Sequence, residues 1–310
     1  MFLRRFGRIP YKRAPFYSLS PGLGKRAAML FLSRSPRRSL RTVCAVVCAA
    51  ARVVGAMSLY FEELDFRPTP IGVLSLRRRR SLTSGLDIYE IKLGDAFLMS
   101  SAFTVAEIEL ARLGLAALER TDLDVVVGGL GLGYTALAVL ENPHLRSLIV
   151  VDALAEVIEW HQQGLLPLGK RLTDDRRCRL VNADFFAMAD SADGFDCKSP
   201  GRRFDAVLVD IDHSPQNLLD PRHAALYAPA GLARLAGHLN PGGVFALWSN
   251  DPPDQAFERA LAGAFASSAA HVVTFDNASG QPDASNTIYI GIKADLPIRQ
   301  ASIATAPLAD

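Results

Sequence analysis

A glycine-rich loop between an apolar strand and a helix constrains the fold more than any other feature of this 310-residue sequence. The strand pattern DVVVG (residues 124–128) leads into the loop GGLGLG (residues 128–133), and a helical pattern follows over residues 134–140. Because glycine has no Cβ, the backbone N–H groups of such a loop can approach a nucleotide closely. We predict that four glycines of this loop contact a nucleotide: Gly128, Gly129, Gly131 and Gly133.

Strands and helices alternate along the rest of the chain. After the loop, apolar strand patterns separated by helical segments recur at LIVVD (148–152), RLVNAD (179–184), FDAVLVD (204–210) and VFALW (244–248). This alternation predicts an α/β fold built on a parallel sheet. Two later strand patterns, residues 271–275 and 287–292, have no long crossover helix between them, so we expect an antiparallel edge there.

Two helices have recognisable end signals. Thr104 followed three residues later by Glu107 matches a capping box, which predicts a helix over residues 105–119. Residues 227–239 predict a second helix, which the segment NPGG at residues 240–243 should end.

Composition divides the chain into three parts. Residues 1–56 contain twelve Lys and Arg, and the first acidic residue of the chain is Glu62. This basic extension fits an organelle transit peptide, but we favour the alternative of a translated upstream segment with the true start at Met57. In both cases we expect it to lie outside the fold, and otherwise we expect a cytoplasmic protein. Residues 57–103 predict a small β unit and residues 104–310 the nucleotide-binding catalytic domain.

The charge and cysteine patterns exclude several kinds of partner. Residues 57–310 contain 22 basic and 32 acidic residues, which argues against a nucleic-acid surface and suits small or cationic substrates. No apolar stretch approaches the roughly 18 residues that span a bilayer, so we expect no membrane association. The four cysteines lack zinc-site spacing, so we expect no metal.

Acidic residues at successive strand ends distinguish two kinds of nucleotide site. The pattern Gly131-x-Gly133-x-x-Ala136 also matches a dinucleotide-binding loop, which leaves a nicotinamide-dependent oxidoreductase as an alternative. Asp152, which ends the second strand, could accept hydrogen bonds from ribose hydroxyls in either class. Asp184, at the end of the third strand, is not expected of a nicotinamide site, and Asp210 adds a carboxylate at the end of the fourth strand. Acidic residues at these consecutive strand ends favour S-adenosylmethionine-type binding.

Several motifs together resemble the spermidine synthase superfamily. These motifs are GGLGLG, LIVVDA, NADFF, FDAVLVDIDHSP, LNPGG and NTIYIG, and the resemblance covers about residues 59–293. It implies a seven-stranded, Rossmann-like sheet of the S-adenosylmethionine-dependent methyltransferase type, with a small N-terminal β unit. It also implies that S-adenosylmethionine or its decarboxylated form is the donor substrate, with Asp152 at the ribose and Asp184 at the adenine.

The resemblance further implies roles for residues around the acceptor. Family members use an aspartate after the fourth strand to accept a proton from the substrate amine, and Asp210 matches that position. The second carboxylate of the segment is Asp212, and His213 is an added residue that could also act as a base. Glu107 and Trp248 are candidates for the acceptor-binding wall, although we slightly favour packing under a helix as the role of Trp248.

The sequence departs from the family at two acceptor positions. Val105 and Ala106 stand where a Tyr-His pair usually precedes Glu107, and Ser84 stands where a glutamine is expected.

The first functional hypothesis is a transferase that moves an aminopropyl or methyl group to a small, amine-type acceptor. The second is a non-catalytic member that binds a nucleoside. Family members often dimerise, so a homodimer is a further expectation.

Overall fold

The computed structural model describes residues 60–69, 71–275 and 284–295, which form two sheets. The basic extension predicted for residues 1–56 lies outside the described residues. The smaller sheet has 4 antiparallel strands in the order β1-β2-β3-β4, in the segment for which a small β unit is predicted. Its strands are β1 (Phe61–Thr69), β2 (Gly72–Arg80), β3 (Asp87–Leu93) and β4 (Ala96–Ser100).

The larger sheet has 7 strands in the order β10-β11-β9-β8-β5-β6-β7. These are β5 (Leu123–Gly128), β6 (Leu145–Asp152), β7 (Cys178–Asn182), β8 (Phe204–Val209), β9 (Leu239–Ser249), β10 (Ser267–Phe275) and β11 (Ala284–Ile292). Five adjacent strands of the sheet run parallel to one another, in the order β9, β8, β5, β6 and β7. In contrast, β11 pairs antiparallel with both β9 and β10. The predicted α/β class, the seven-stranded sheet and the antiparallel edge are confirmed.

Helices cover both faces of this sheet. They are α1 (Val105–Ala116), α2 (Tyr134–Leu140), α3 (Ala155–Gln162), α4 (Gly169–Thr173), α5 (Phe185–Asp190), α6 (Ala224–Tyr227), α7 (Pro229–Gly237) and α8 (Gln255–Ala264). Every residue of β5 and β8 is buried, because each strand lies between two neighbours and beneath helices on both sides. Among the described helices, none combines the length and the apolar character that a membrane crossing requires.

The connections create a switch point between β5 and β8. The chain proceeds outward from β5 to β6 and β7, and then returns to the other side of β5 to form β8 and β9. Loops that leave neighbouring strands in opposite directions open a crevice at the carboxyl edge of the sheet, where α/β proteins bind ligands. The glycine loop follows β5 and Asp210 follows β8, so both lie at this crevice.

Both predicted helix ends need correction. Thr104 precedes α1, but its side chain makes no capping hydrogen bond, so the predicted capping box is wrong. The box does not form because tertiary packing buries the Glu107 side chain, which lines a cavity instead of pairing with the Thr104 N–H. The helix predicted over residues 227–239 is interrupted at Ala228, which is extended because Pro229 follows it. Residues 240–243 do not end a helix in a loop but belong to β9.

Candidate functional site

The glycine loop needs glycine because it packs against its neighbours without space for a side chain. Gly129 has φ of +91°, and a Cβ added there would lie 2.0 Å from the backbone oxygen of Asp210. Gly131 has φ of +45°, and a Cβ there would lie 2.2 Å from the sulfur of Met99. The backbone N–H of Asp210 in turn donates to the Gly128 carbonyl at 2.8 Å. The loop is therefore built against the start of the segment after β8.

The four predicted glycines do not lie equally close to the crevice. Gly129 and Gly131 line a cavity of about 240 Å³ at the switch point. Gly128 packs against the Phe185 ring, and Gly133 begins α2 in the left-handed conformation. Gly128 and Gly133 therefore determine the path of the loop without lining the cavity, whereas Gly129 and Gly131 line it.

A buried histidine holds the glycine loop through a hydrogen bond. His161, in α3, is completely buried, and its Nε2–H donates to the Gly131 carbonyl at 2.9 Å. Burial lowers the pKa of His161, and its Nδ1 atom has no hydrogen-bond partner among the described residues. Both observations favour a neutral imidazole that fixes the Gly131 carbonyl. Sequence reasoning missed His161, because nothing in the helix that carries it indicates that it reaches the loop.

Asp152 ties the loop to the end of β6 and also lines the cavity. Its Oδ2 accepts a hydrogen bond from the Leu130 N–H at 2.8 Å, and its Oδ1 accepts one from the Leu154 N–H at 2.8 Å. Burial raises the pKa of Asp152 against these hydrogen bonds. Each carboxylate oxygen has a second lone pair, so both could still accept a hydrogen bond from a hydroxyl group.

Asp184 lies two residues beyond β7 and has a structural role of its own. Its Oδ1 accepts hydrogen bonds from the N–H groups of Phe186 at 2.9 Å and Ala187 at 3.1 Å, so it caps α5. No described residue donates to its Oδ2, and Asp184 lines the cavity. It can therefore cap the helix with one oxygen and contact a ligand with the other.

Two carboxyl groups share the interior of the cavity near the glycine loop. Asp210 follows β8, and its Oδ2 accepts a hydrogen bond from the Thr135 hydroxyl at 2.7 Å. Glu107 is only 9% exposed and lines the same cavity. Burial raises the pKa of Asp210, and burial together with the Asp210 charge raises the pKa of Glu107. Two buried acidic groups in one site favour a state in which one of them retains its proton.

The remaining predicted residues separate into lining and supporting positions. His213 and Trp248 line the cavity, and the Trp248 Nε1 atom is buried without a partner among the described residues. Asp212 does not contribute to the lining, and it is 1% exposed. Its carboxylate accepts hydrogen bonds from Leu219, His223 and Tyr227 instead. Asp212 therefore supports the cavity wall and does not face a ligand.

The cavity as a whole is acidic. Its lining carries the carboxyl groups of Glu107, Asp152, Asp184, Asp210 and Asp220. Among the described lining residues the permanently charged cation is Arg222, whose guanidinium pairs with Asp220 at 2.7 Å. Such a site favours ligands that carry positive charge. In the part of the chain that the structure describes, no cluster of three or more metal-ligating side chains is present.

Comparison with solved structures shows the fold that this chain shares. The spermidine synthase of Thermotoga maritima has a TM-score of 0.57 and 17% identity, covering 76% of this chain and 74% of that one. A spermidine synthase in complex with the transition-state analogue AdoDATO gives a TM-score of 0.57 and 16% identity, with 76% and 74% coverage. A probable spermidine synthase of Corynebacterium glutamicum gives 0.51 and 13%, with 77% and 83% coverage.

No family model matches the sequence. The likeness in structure nevertheless covers about three quarters of the chain. The expected spermidine-synthase-like fold is therefore confirmed at the level of architecture.

Proposed function

We propose that this protein is a spermidine-synthase-like transferase that binds a sulfonium nucleoside and transfers an aminopropyl or methyl group to a small amine. The observation that carries the proposal is the buried pair of Asp210 and Glu107, which share one cavity with the glycine loop. A transferase of this kind must bind a cationic amine and accept a proton from it. A buried carboxylate with a raised pKa meets both needs.

The residues of the cavity fit a sulfonium nucleoside donor. Asp152 has lone pairs available for the ribose hydroxyls, and Asp184 has an oxygen available for the adenine amino group. Apolar side chains, among them Leu154 and Phe185, supply walls for the purine. When bound, such a donor supplies a carbon that the positive sulfur makes open to nucleophilic attack. One of the similar structures contains AdoDATO, a transition-state analogue, which supports the same class of ligand here.

The charge of the lining favours the decarboxylated donor. S-adenosylmethionine carries a carboxylate, which needs a cation or backbone N–H groups in a dry site. The permanently cationic side chain of the described lining, Arg222, already pairs with Asp220. Decarboxylated S-adenosylmethionine carries only positive charge in its aliphatic chain, so it suits this acidic cavity better. Aminopropyl transfer is accordingly the preferred reaction.

In the proposed reaction, Asp210 accepts a proton from the ammonium group of the acceptor. The freed nitrogen lone pair forms the new C–N bond while the C–S bond breaks, and methylthioadenosine leaves with the electrons of that bond. The Thr135 hydroxyl stabilises the ionised form of Asp210 by its hydrogen bond to Oδ2. Glu107, whose pKa is raised by burial and by the Asp210 charge, can accept a hydrogen bond from an N–H of the amine through its carboxyl oxygen, which leaves the nitrogen lone pair free to attack.

A second candidate function is that of a nucleoside-binding protein without turnover. It is favoured by the altered acceptor positions, because Val105 is exposed at the start of α1 and Ser84 lies in the turn between β2 and β3. Neither residue lines the cavity, so neither takes the place of the usual acceptor-binding side chains.

Replacing Asp210 by asparagine separates the two functions. In a transferase, D210N should lower turnover at least about a hundredfold while the donor binds with unchanged affinity. D251N is a matched control, because Asp251 follows β9 at the same sheet edge but lies outside the cavity lining. Product would be measured by mass spectrometry with several diamines as acceptors. Donor binding without any product in the unaltered protein would instead support the second function.

A further inference from the structure

One buried carboxylate organises the whole segment between β8 and α6. Asp212 Oδ1 accepts hydrogen bonds from the Leu219 N–H at 2.7 Å and from His223 Nδ1 at 2.9 Å. Its Oδ2 accepts a hydrogen bond from the Tyr227 hydroxyl at 2.8 Å. Burial and the charge of Asp212 raise the pKa of Tyr227 well above its ordinary value, so this hydroxyl remains a donor. Asp212 therefore joins the beginning, the middle and the end of the segment.

This contact selects one tautomer of the His223 imidazole. Because a carboxylate can only accept, Nδ1 carries a proton, and in the tautomer that fits this contact Nε2 is the unprotonated nitrogen that can accept a hydrogen bond. The side chain is only 16% exposed, yet no described residue forms a hydrogen bond with its Nε2 atom. A mostly buried imidazole with an available acceptor atom is therefore presented at the cavity wall.

The position of the ring indicates which part of a ligand it meets. The imidazole stacks on Phe186, with ring centroids 3.6 Å apart and planes inclined by 10°. Phe186 lies in α5, two residues after Asp184, at the β7 side of the cavity. Asp210 and Trp248 lie at the opposite side, after β8 and in β9. His223 is therefore at the end of the cavity that, in the proposed function, receives the purine base.

We propose that His223 is a base-recognition residue, with its Nε2 atom accepting a hydrogen bond from the 6-amino group of the purine, and that Asp212 is its positioning residue. The proposal rests on the proposed function, because it assigns a further contact to the donor of that reaction. A 6-oxo purine presents a carbonyl oxygen at the same edge and would meet the Nε2 lone pair with another lone pair. The site should therefore prefer adenosine-type over inosine-type nucleosides.

Calorimetry with methylthioadenosine and methylthioinosine tests this preference in the full chain. The unaltered protein should bind methylthioadenosine at least about tenfold more tightly, as expected for one hydrogen bond. H223F keeps a flat ring that can stack on Phe186 but removes both nitrogens. It should reduce the preference by weakening methylthioadenosine binding alone, and the preference that remains would come from the Asp184 oxygen.

A second variant tests the role of Asp212. D212N keeps the shape of the side chain but removes the charge that retains the proton on Nδ1, so it should also reduce the ratio of the two affinities. The ¹⁵N resonances of the His223 ring should show Nδ1 protonated in the unaltered protein and a mixture of tautomers in D212N. Y289F is the control for general destabilisation, because Tyr289 is equally buried and its hydroxyl accepts a hydrogen bond from the Asp254 N–H outside the cavity.

The outcomes of these binding experiments distinguish failure of the His223 contact from failure of the proposed function. If the unaltered protein binds neither nucleoside, the proposed function fails and the inference fails with it. If both bind equally well, or if H223F weakens both to the same extent, the inference alone is overturned. Unchanged affinities in H223F would likewise contradict a contact between His223 and the base.

Discussion

Burial and the neighbouring Asp210 carboxylate together raise the pKa of Glu107, which lines the same cavity as Asp210. Glu107 comes from the first turn of α1, and Asp210 comes directly after β8. Thr135 connects the two positions, because its hydroxyl lies 2.7 Å from Asp210 Oδ2 and 3.2 Å from the Glu107 carbonyl. Three elements thus meet at the point where the proposed proton transfer takes place.

Glu107→Gln should change how stability depends on pH. Because the folded pKa of Glu107 is raised, the native state binds the proton more tightly than the unfolded chain does. The free energy of unfolding must therefore decrease as the pH rises above the ordinary glutamate value of about 4.3. In E107Q this decrease should be smaller, as measured by urea denaturation across a series of pH values.

The matched control for this prediction is Glu109→Gln. Glu109 is in the same helix but is partly exposed and pairs with Arg112. The E109Q protein should retain the pH dependence of the unaltered chain. An E107Q protein whose stability depends on pH as steeply as before would show that Glu107 is not the buried acid described here.

Thr135→Val should shift the pH profile of the reaction. The hydrogen bond from Thr135 lowers the pKa of Asp210 against the effect of burial, so its loss must raise that pKa further. Since Asp210 accepts a proton in its ionised form, the rising limb of turnover against pH should move to higher pH in T135V. Thr287→Val is the control, because the buried Thr287 hydroxyl donates to the Asp251 carbonyl outside the cavity. A limb at the same pH in T135V would contradict the assignment of Asp210 as the base.

Gly129→Ala should abolish donor binding. The added Cβ would lie 2.0 Å from the Asp210 carbonyl, so the loop or the segment after β8 must move. Gly201→Ala is a control with a similar φ of +75° but with no atom within 4 Å of the added Cβ. It should therefore cost only the backbone strain of about 1–2 kcal/mol. Equal donor affinities in the two variants would show that the loop does not form the binding site.

His161→Leu should weaken both the fold and the loop. Removing the Nε2–H donor leaves the Gly131 carbonyl without its partner, which should lower the free energy of unfolding by about 1–3 kcal/mol. Donor affinity should fall as well, because Gly131 lines the cavity. His161→Gln retains an N–H donor and should recover part of both losses. Full donor affinity in H161L would mean that the loop keeps its shape without this support.

The fold could be predicted from the sequence because its signals are local and repeated. Apolar strands alternate with helices after the glycine loop, and this pattern alone indicates a parallel sheet. The aspartates 152, 184 and 210 could also be assigned to one edge, because the carboxyl ends of parallel strands lie side by side. The structure has all three in the lining of one cavity.

The parts that could not be predicted depend on contacts distant in sequence. Glu107 follows Thr104 at the spacing of a capping box. Its side chain lines the cavity only because of the way α1 packs in the folded protein. Asp212 and His213 are adjacent in the sequence, yet one is buried in a hydrogen-bond network and the other lines the cavity. His223 reaches the site only because the segment after β8 returns across it, and no local pattern encodes that path.

Titration calorimetry of the full chain with S-adenosylmethionine and its decarboxylated form tests whether the cavity at the glycine loop binds a sulfonium nucleoside. The acidic cavity and the glycine loop predict binding of at least one donor in the micromolar range, and tighter binding of the decarboxylated form. G129A measured alongside should show no binding, which would locate the site at the loop. Dissociation constants above about 1 mM for both donors would contradict binding of a sulfonium nucleoside by this protein.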